Sequence, residues 1–370
     1  MTEIEALAVT GAGVVSPAGF GLAALRGWDG AAQPALSGPR RDEDYPPIPL
    51  VGIEGIDPEQ YLGRKGVRHL DWTTKIALVA CNRALAELDP PLAPDAGTRT
   101  GVVIGTSTGS IRSSSEFSRE TLVQEKPYLV RANLFPNTVM NCCAGQVAIF
   151  NGLRGVNATI AGGRLSSLSA IRYARNAIVG GHIDGALVGG VEELCPQSAW
   201  GWHLSGRLTG DTAVGEGCAV FLVESLASAA AAGRTPLAEL LACEVVSAGS
   251  DDRPVISHRA TAAVRRALER SGVAPADVST VSWGCTGHVG LERAELRGVR
   301  AALGGRVPAG SVRVTEVAGE SFSASGALQL AALLAHWAPD GSAGAGSGEI
   351  GLVTSIGQDG VVGALVVRRR

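Results

Sequence analysis

The sequence predicts an α/β layered fold, and three observations carry that prediction. Short apolar, β-branched runs ending in glycine recur along the chain: Ala6–Thr10 before Gly11, Gly101–Ile104 before Gly105, Gly185–Val188 before Gly189, and Ile350–Thr354. Runs of this length without polar alternation are the pattern of strands covered on both faces. Between them the apolar positions of Asp71–Leu88, Ser166–Val179, Thr261–Ser271 and Ala324–Trp337 recur at intervals of three and four, the period of an amphipathic helix. The composition agrees, since 45% hydrophobic against 18% charged side chains over 370 residues supports a large core, and 50 glycines with 4% aromatic residues suit tight turns and close packing of helices on sheets.

Each remaining feature narrows the class. A net charge of −3 supplies no basic field for nucleic acid, and Arg368–Arg370 reads as a solvated tail. Met1–Pro17 has no basic stretch followed by an apolar run and a small-residue cleavage site, and no window reaches about 18 uninterrupted apolar residues, so the expectation is a cytoplasmic protein without a membrane span. Seven cysteines, an odd number without paired C-x-x-C spacing, are expected as reduced buried thiols and not as bridges or a metal site. No cofactor motif is present. Ala31–Pro49 and Ala338–Gly348 read as linkers. Small-residue turns at Ala161–Ser167 and Ala318–Ser325 occupy similar places ahead of helices, which predicts an internal duplication with halves at 1–245 and 246–370.

Five segments in order, VTGAGVVSP (Val9–Pro17), TGVVIGTSTG (Thr100–Gly109), FPNTVMNCCAGQVAIFNGLRG (Phe135–Gly155), VGGVE (Val188–Glu192) and GEGCAVFLVE (Gly215–Glu224), together resemble the β-ketoacyl synthase family over roughly four fifths of the chain. The resemblance implies a thiolase-like five-layer α-β-α-β-α fold of two related halves that works as a dimer. It also implies a catalytic cysteine that carries an acyl chain and two histidines that assist decarboxylation of a malonyl group on acyl carrier protein, a Claisen condensation.

Against that pattern the catalytic positions are altered. The family's T-A-C-x-S-G turn corresponds to Gly162–Ser167 and places Arg164 at the cysteine position, where a guanidinium can neither attack a thioester nor hold an acyl group. Ser166 and Ser167 follow in the helix with no evident base. The N-A-H-G-T-G-T loop corresponds to Ser282–His288 and keeps Thr286 and Gly287 in register, so Gly284 stands for the first histidine. Cys285 and His288 nearby leave two readings, a rebuilt thiol site or a small loop residue beside a partly exposed imidazole. The K-S-x-x-G-H-x-x-G-A-A-G motif corresponds to Thr315–Gly326: Glu320 replaces the second histidine, Thr315 the lysine, and Gln329 the acid further on, removing two opposite charges together. From this follows the expectation that Arg164 and Glu320 form a buried ion pair, against the alternative that Arg164 turns toward solvent or a substrate phosphate.

The resemblance further implies that Asn157, Ala158, Thr159 and Ile160 form the strand paired across the dimer axis. Asn133, Phe135, Pro136, Thr138 and Val139 lie in a segment that resembles the family's element crossing the interface and lining the neighbour's acyl tunnel, with ordinary core packing as the other reading of Phe135 and Val139. Pocket length would be set near Phe135 and Phe150. A terminal N-S-F-G-F-G-G motif has become Thr354–Gly360 and lost its phenylalanine gate. A degenerate member of this kind resembles the chain length factor, or KSβ, of type II polyketide synthases. It would be a non-catalytic subunit that joins a catalytic ketosynthase α subunit and meets acyl carrier protein with its phosphopantetheine-bound chain. The polyene-forming systems offer the nearer likeness, although the usual KSβ glutamine is here Arg164. Two other readings remain: an acyl-thioester enzyme using Cys285, His288 or Glu320, and a homodimeric carrier-binding module.

Overall fold

The computed structural model describes residues 5–26, 44–338 and 348–370. Ten strands carry the architecture: β1 (Leu7–Ser16), β2 (Thr100–Gly105), β3 (Asn157–Ile160), β4 (Gly185–Glu192), β5 (Gly217–Ser225), β6 (Ala238–Ser247), β7 (Val278–Ser282), β8 (Gly310–Val312), β9 (Ile350–Ile356) and β10 (Val361–Arg369). They run in the order β8-β7-β9-β10-β6-β1-β5-β4-β2-β3, and the short strand Gly19–Phe20 pairs with β1.

The pairing repeats itself. From β1 outward through β5, β4, β2 and β3 the contacts are antiparallel, antiparallel, parallel, parallel. From β6 outward through β10, β9, β7 and β8 the same sequence of senses recurs. The arrays meet where Leu7, Ala8 and Val9 pair with Leu240, Glu239 and Ala238. Val245, the expected midpoint, lies inside β6, the strand with which the second array begins.

The longer helices among the described residues complete the layers: α1 (Trp72–Ala86), α2 (Ile111–Val123), α3 (Cys142–Asn151), α4 (Ser166–Val179), α5 (Pro196–Ser205), α6 (Arg253–Ser271), α7 (Leu291–Ala302) and α8 (Ser325–Trp337). Buried side chains of α1 and α3 pack on one array, those of α6 and α7 on the other, and those of α4 and α8 between the two. This is the thiolase-like five-layer arrangement, and α8 shows why the sequence makes it. Every residue of that helix except His336 is buried, as a helix apolar all round must be when sheets cover both its sides.

The sequence elements compare closely with these. The Ser166–Val179 helix has the expected bounds, while α6 begins at Arg253, eight residues ahead of the expected start, because its first turns carry Pro254 and polar residues that obscure the period. The glycine in Ala6–Gly11 does not end β1, which continues through Ser16 with a register shift between Val9 and Gly11. Most of the two expected linkers, 31–43 and 339–347, lies outside the described residues. All seven cysteines are free, Cys142 half-buried and the others buried. No helix among the described residues is long and apolar enough to cross a membrane.

Candidate functional site

Two equivalent turns build the site. The first leaves β3 and enters α4 through a 3₁₀ turn, Gly163–Leu165, whose Gly163 has φ +55°. The second enters α8 through Phe322–Ala324. Arg164 extends from the first and Glu320 precedes the second, so residues 156 positions apart meet in the middle layer.

Their contact is bidentate. Arg164 Nε donates to Glu320 Oε1 at 3.0 Å and Nη2 to Oε2 at 2.6 Å. Both side chains are buried, Arg164 with 2% of its surface exposed and Glu320 with none. The expected ion pair is thus present, and the solvent-facing alternative for Arg164 is corrected. The carboxylate accepts three further hydrogen bonds: from the Phe322 amide at 3.0 Å, the Ser325 hydroxyl at 3.2 Å and His288 Nε2 at 2.8 Å. Its main chain is clamped as well, with Glu320 N–H donating to Ala213 O and Gly215 N–H to Glu320 O. Burial pushes the Glu320 carboxyl up, but Arg164 and His288 outweigh it and hold the group down to about 2.

His288 corrects the expectation of a partly exposed imidazole, since it is 2% exposed. Burial and the nearby Arg164 charge lower its pKa, which keeps the ring neutral at pH 7. The tautomer follows from its neighbours. Arg207 donates to Gln358 Oε1 at 3.0 Å, so the Gln358 amide nitrogen faces His288 Nδ1 at 3.2 Å and donates to it. Nε2 therefore carries the proton given to Glu320. Both ring nitrogens are committed, and neither is left to act as a base.

Gly284 lies beside the guanidinium. A Cβ there would fall 2.3 Å from Thr354 O and 3.0 Å from Ser355 Cα, so the neighbouring main chain excludes it, and 3.2 Å from Arg164 Nη1, so the guanidinium crowds it as well. The 284–285 amides are held by Glu295, a buried carboxylate taking Gly284 N–H at 3.0 Å, Cys285 N–H at 2.9 Å and the Thr354 hydroxyl at 2.7 Å. Burial raises the Cys285 thiol well above its ordinary value, and its surface is entirely covered. That combination is the opposite of an activated nucleophile. Ser166 and Ser167 are also buried, and their hydroxyls bond to main-chain atoms: Ser166 to Thr106 O and Gly163 O, Ser167 to Ser323 O. Gln329 Nε2 ties Ser282 O to Thr354 O across β7 and β9. Thr315 is buried too, and no hydrogen bond between it and Gln329 occurs among the described residues.

A cavity of about 350 Å³ abuts this cluster, lined by Trp202, Phe322, Glu192, Gln197, Arg207 and Gln358 among others. The Trp202 ring packs edge-on to Phe322 and to His288, with centroids 5.5 and 5.7 Å away. Glu192 accepts from the Ser107 and Ser323 hydroxyls, and burial raises its carboxyl to about 7. Trp202, Gln358, Glu192 and Glu295 were not singled out as site residues in the sequence. The one available signal was the exchange of the terminal motif's second aromatic for Gln358.

A second region lies on the surface. Asn133, Phe135, Pro136 and Val139 are exposed and Thr138 is half-buried; Phe135, at 57%, is not core packing, which corrects that reading. Met140, Ile149 and Phe150 are exposed as well. In β3, Asn157 is exposed and Ala158, Thr159 and Ile160 are half-buried. β3 pairs with β2 on one side and ends the sheet on the other.

Comparison with known proteins follows this geometry. Residues 50–229 match the beta-ketoacyl synthase N-terminal domain and residues 237–337 the C-terminal domain. The 3-oxoacyl-[acyl-carrier-protein] synthase 2 of Vibrio cholerae is 25% identical over 281 residues, 68% of this chain and 66% of that protein. The Staphylococcus aureus COL protein of the same name is 24% identical over 264 residues, 65% and 63% of the two lengths. The chain thus spans just under two thirds of these relatives. Among solved structures, the ishigamide ketosynthase/chain length factor is 33% identical, covering 98% of this chain and 99% of that one with a TM-score of 0.80. A beta-ketoacyl synthase from Burkholderia phymatum STM815, 21% identical with a TM-score of 0.81 over 99% of this chain and 100% of that one, shares the fold.

Proposed function

The chain belongs to the β-ketoacyl synthase family, and we propose that within it this protein is a non-catalytic subunit of the chain length factor type. It joins a catalytic ketosynthase across β3 and the Phe135 face, and shapes the space in which that partner elongates an acyl chain held on acyl carrier protein. One observation carries the reading: Arg164 and His288 both bond the Glu320 carboxylate in the place where the nucleophile and its assisting groups would stand. A nucleophilic step needs a thiolate with an accessible path and a base or cation to activate it. Here the position holds a guanidinium, the nearest thiol, Cys285, is covered and held protonated, and the nearest imidazole has both nitrogens bonded.

The likeness to the ishigamide ketosynthase/chain length factor over nearly the full length of both chains supports the same reading. So do the exposed apolar side chains Phe135, Met140, Ile149 and Phe150, carried by segments that precede the edge strand β3 and of a kind that a partner would cover. Residues 133–139 and 157–160 are the proposed contact set, with Phe135 and Phe150 the side chains that bound the partner's chain pocket.

Co-expression with the catalytic ketosynthases of the same gene neighbourhood, followed by sizing and an elongation assay, tests the proposal. A one-to-one complex that elongates, in which the ketosynthase alone becomes acylated, is expected. A stable homodimer that ignores every ketosynthase, or acyl labelling of this chain at Cys285, overturns it.

A further inference from the structure

The turn that carries Arg164 also ends the partner-facing strand, and a closed set of hydrogen bonds ties the two. Ile160, the last residue of β3, accepts from the Thr106 amide at 3.0 Å. The single hydrogen of the Ser166 hydroxyl is shared between Gly163 O at 2.6 Å and Thr106 O at 3.0 Å, and the Ser166 oxygen accepts the Gly162 amide at 3.0 Å. Any shift of residues 162–166 is therefore passed to Ile160. What fixes those residues is the Arg164 side chain, which leaves the turn for the middle layer and ends on a carboxylate that five donors and two main-chain bonds immobilise.

We propose that the Arg164–Glu320 pair is a strut that positions the partner-binding strand, so that Arg164 acts on the ketosynthase interface through Gly162, Ser166 and Ile160 without touching the partner. This rests on the partner-subunit reading above, and it adds a function to a cluster that would otherwise only fill a lost site. The strut joins the two arrays through their equivalent turns, because Arg164 belongs to the first and Glu320 to the second. The geometry of the edge strand is thereby set from the far half of the molecule.

Hydrogen exchange on the isolated chain and the dissociation constant of the ketosynthase complex test it together. The reporters are the Thr106 and Gly162 amides, with amides of α6 and α7 as the control. In Arg164→Met both reporters should exchange at least about tenfold faster while the control is unchanged, and the complex should weaken by about tenfold. Arg164→Met combined with Glu320→Leu, which replaces the ion pair by apolar contact, should recover most of both losses. A folded Arg164→Met protein with native exchange at Thr106 and Gly162 overturns the strut, and so does faster exchange with undiminished affinity. If Arg164→Met does not fold, Ser166→Ala cuts the turn from Thr106 and leaves the pair intact; the same two changes are expected, and their absence overturns the proposal. If the unaltered chain binds no ketosynthase, the partner reading falls, while the exchange arm still decides whether the pair holds the strand.

Discussion

The two turns that deliver Arg164 and Glu320 are equivalent in the duplicated architecture, yet they handle the same backbone problem differently. Each follows the edge strand of its array, makes one 3₁₀ turn and starts a helix on serine, Ser166 in one and Ser325 in the other. Three residues ahead of that serine the backbone is left-handed in both, at φ +55° for Gly163 and +38° for Phe322. Glycine takes that conformation freely, and phenylalanine does so at a cost of about 1–3 kcal/mol. The cost is accepted where the side chain has a task. The Phe322 amide donates to Glu320, and its ring packs against Trp202 along the cavity. The first turn gives its long side chain to Arg164, and glycine at 163 takes φ +55° without strain, while a Cβ there would meet the Phe322 ring only in ordinary contact at 3.6 Å. The duplicated fold thus supplies matching turns, and the choice of residue within each decides which one bridges and which one caps.

The largest effect expected on this pairing comes from cutting the bridge. Arg164→Ala or Glu320→Ala should each cost about 3–5 kcal/mol by leaving a buried charge without its partner. The double change should cost less than the sum by about 1–3 kcal/mol in denaturant melts; simple additivity would show that the residues do not act as a pair. Next in size is Gly284→Ala, which has to displace Thr354 O and the guanidinium and should cost about 1–3 kcal/mol. Placed in an Arg164→Ala background the penalty should shrink but persist, since Thr354 O remains. An undiminished penalty would place the conflict wholly on the backbone.

The acidic groups around the two turns give opposite pH responses. Glu320, held down to about 2 in the fold, contributes stability that is present above the unfolded carboxyl value near 4.5 and is lost as pH falls toward 2. Glu192, raised to about 7 by burial, contributes in the other sense: its share is complete below about 4.5 and is lost as pH rises through 7. Glu192→Gln should therefore raise the slope of stability against pH between about 4.5 and 7 by up to ~1.4 kcal/mol per unit, measured by urea melts across that window. An unchanged slope would mean that Glu192 is ionised throughout. The smallest effect is the most direct comparison of the turns. Phe322→Gly should be more stable than Phe322→Ala by about 1 kcal/mol, reversing the usual order, whereas Gly163→Ala should cost about the same amount. Equal stabilities of the two 322 variants would remove the strain argument.

Much of this was legible in the sequence because the residues concerned sit in contiguous motifs. The turn at Gly162–Ser167 and the segment Thr315–Gly326 align without gaps to a recognisable pattern, so Arg164 and Glu320 stand out as replacements, and their opposite charges then suggest a pair. His288 was visible as a neighbour of Gly284 but read as partly exposed, because it is four residues beyond the position that Gly284 replaces. Only the path of the 284–290 loop carries its ring back to Glu320. Gln358 and Trp202 escaped for a related reason: each acts by direction, one through an amide oriented by Arg207, the other through a ring edge, and neither leaves a periodic trace. The layers were readable from apolar runs, but the joint between β1 and β6 was not, since it depends on three residue pairs more than 200 positions apart.

The fit at Gly284 also says which parts of the molecule must move together. A Cβ at 284 would fall 2.3 Å from Thr354 O and 3.0 Å from Ser355 Cα, both main-chain atoms of β9, and 3.2 Å from Arg164 Nη1. The first two contacts do not depend on residue 164, so shortening the arginine alone leaves the strand in the way. Any side chain at 284 therefore asks β9 to shift as well as the guanidinium, and the loop at 284 and the strand at 354–355 behave as one mechanical unit.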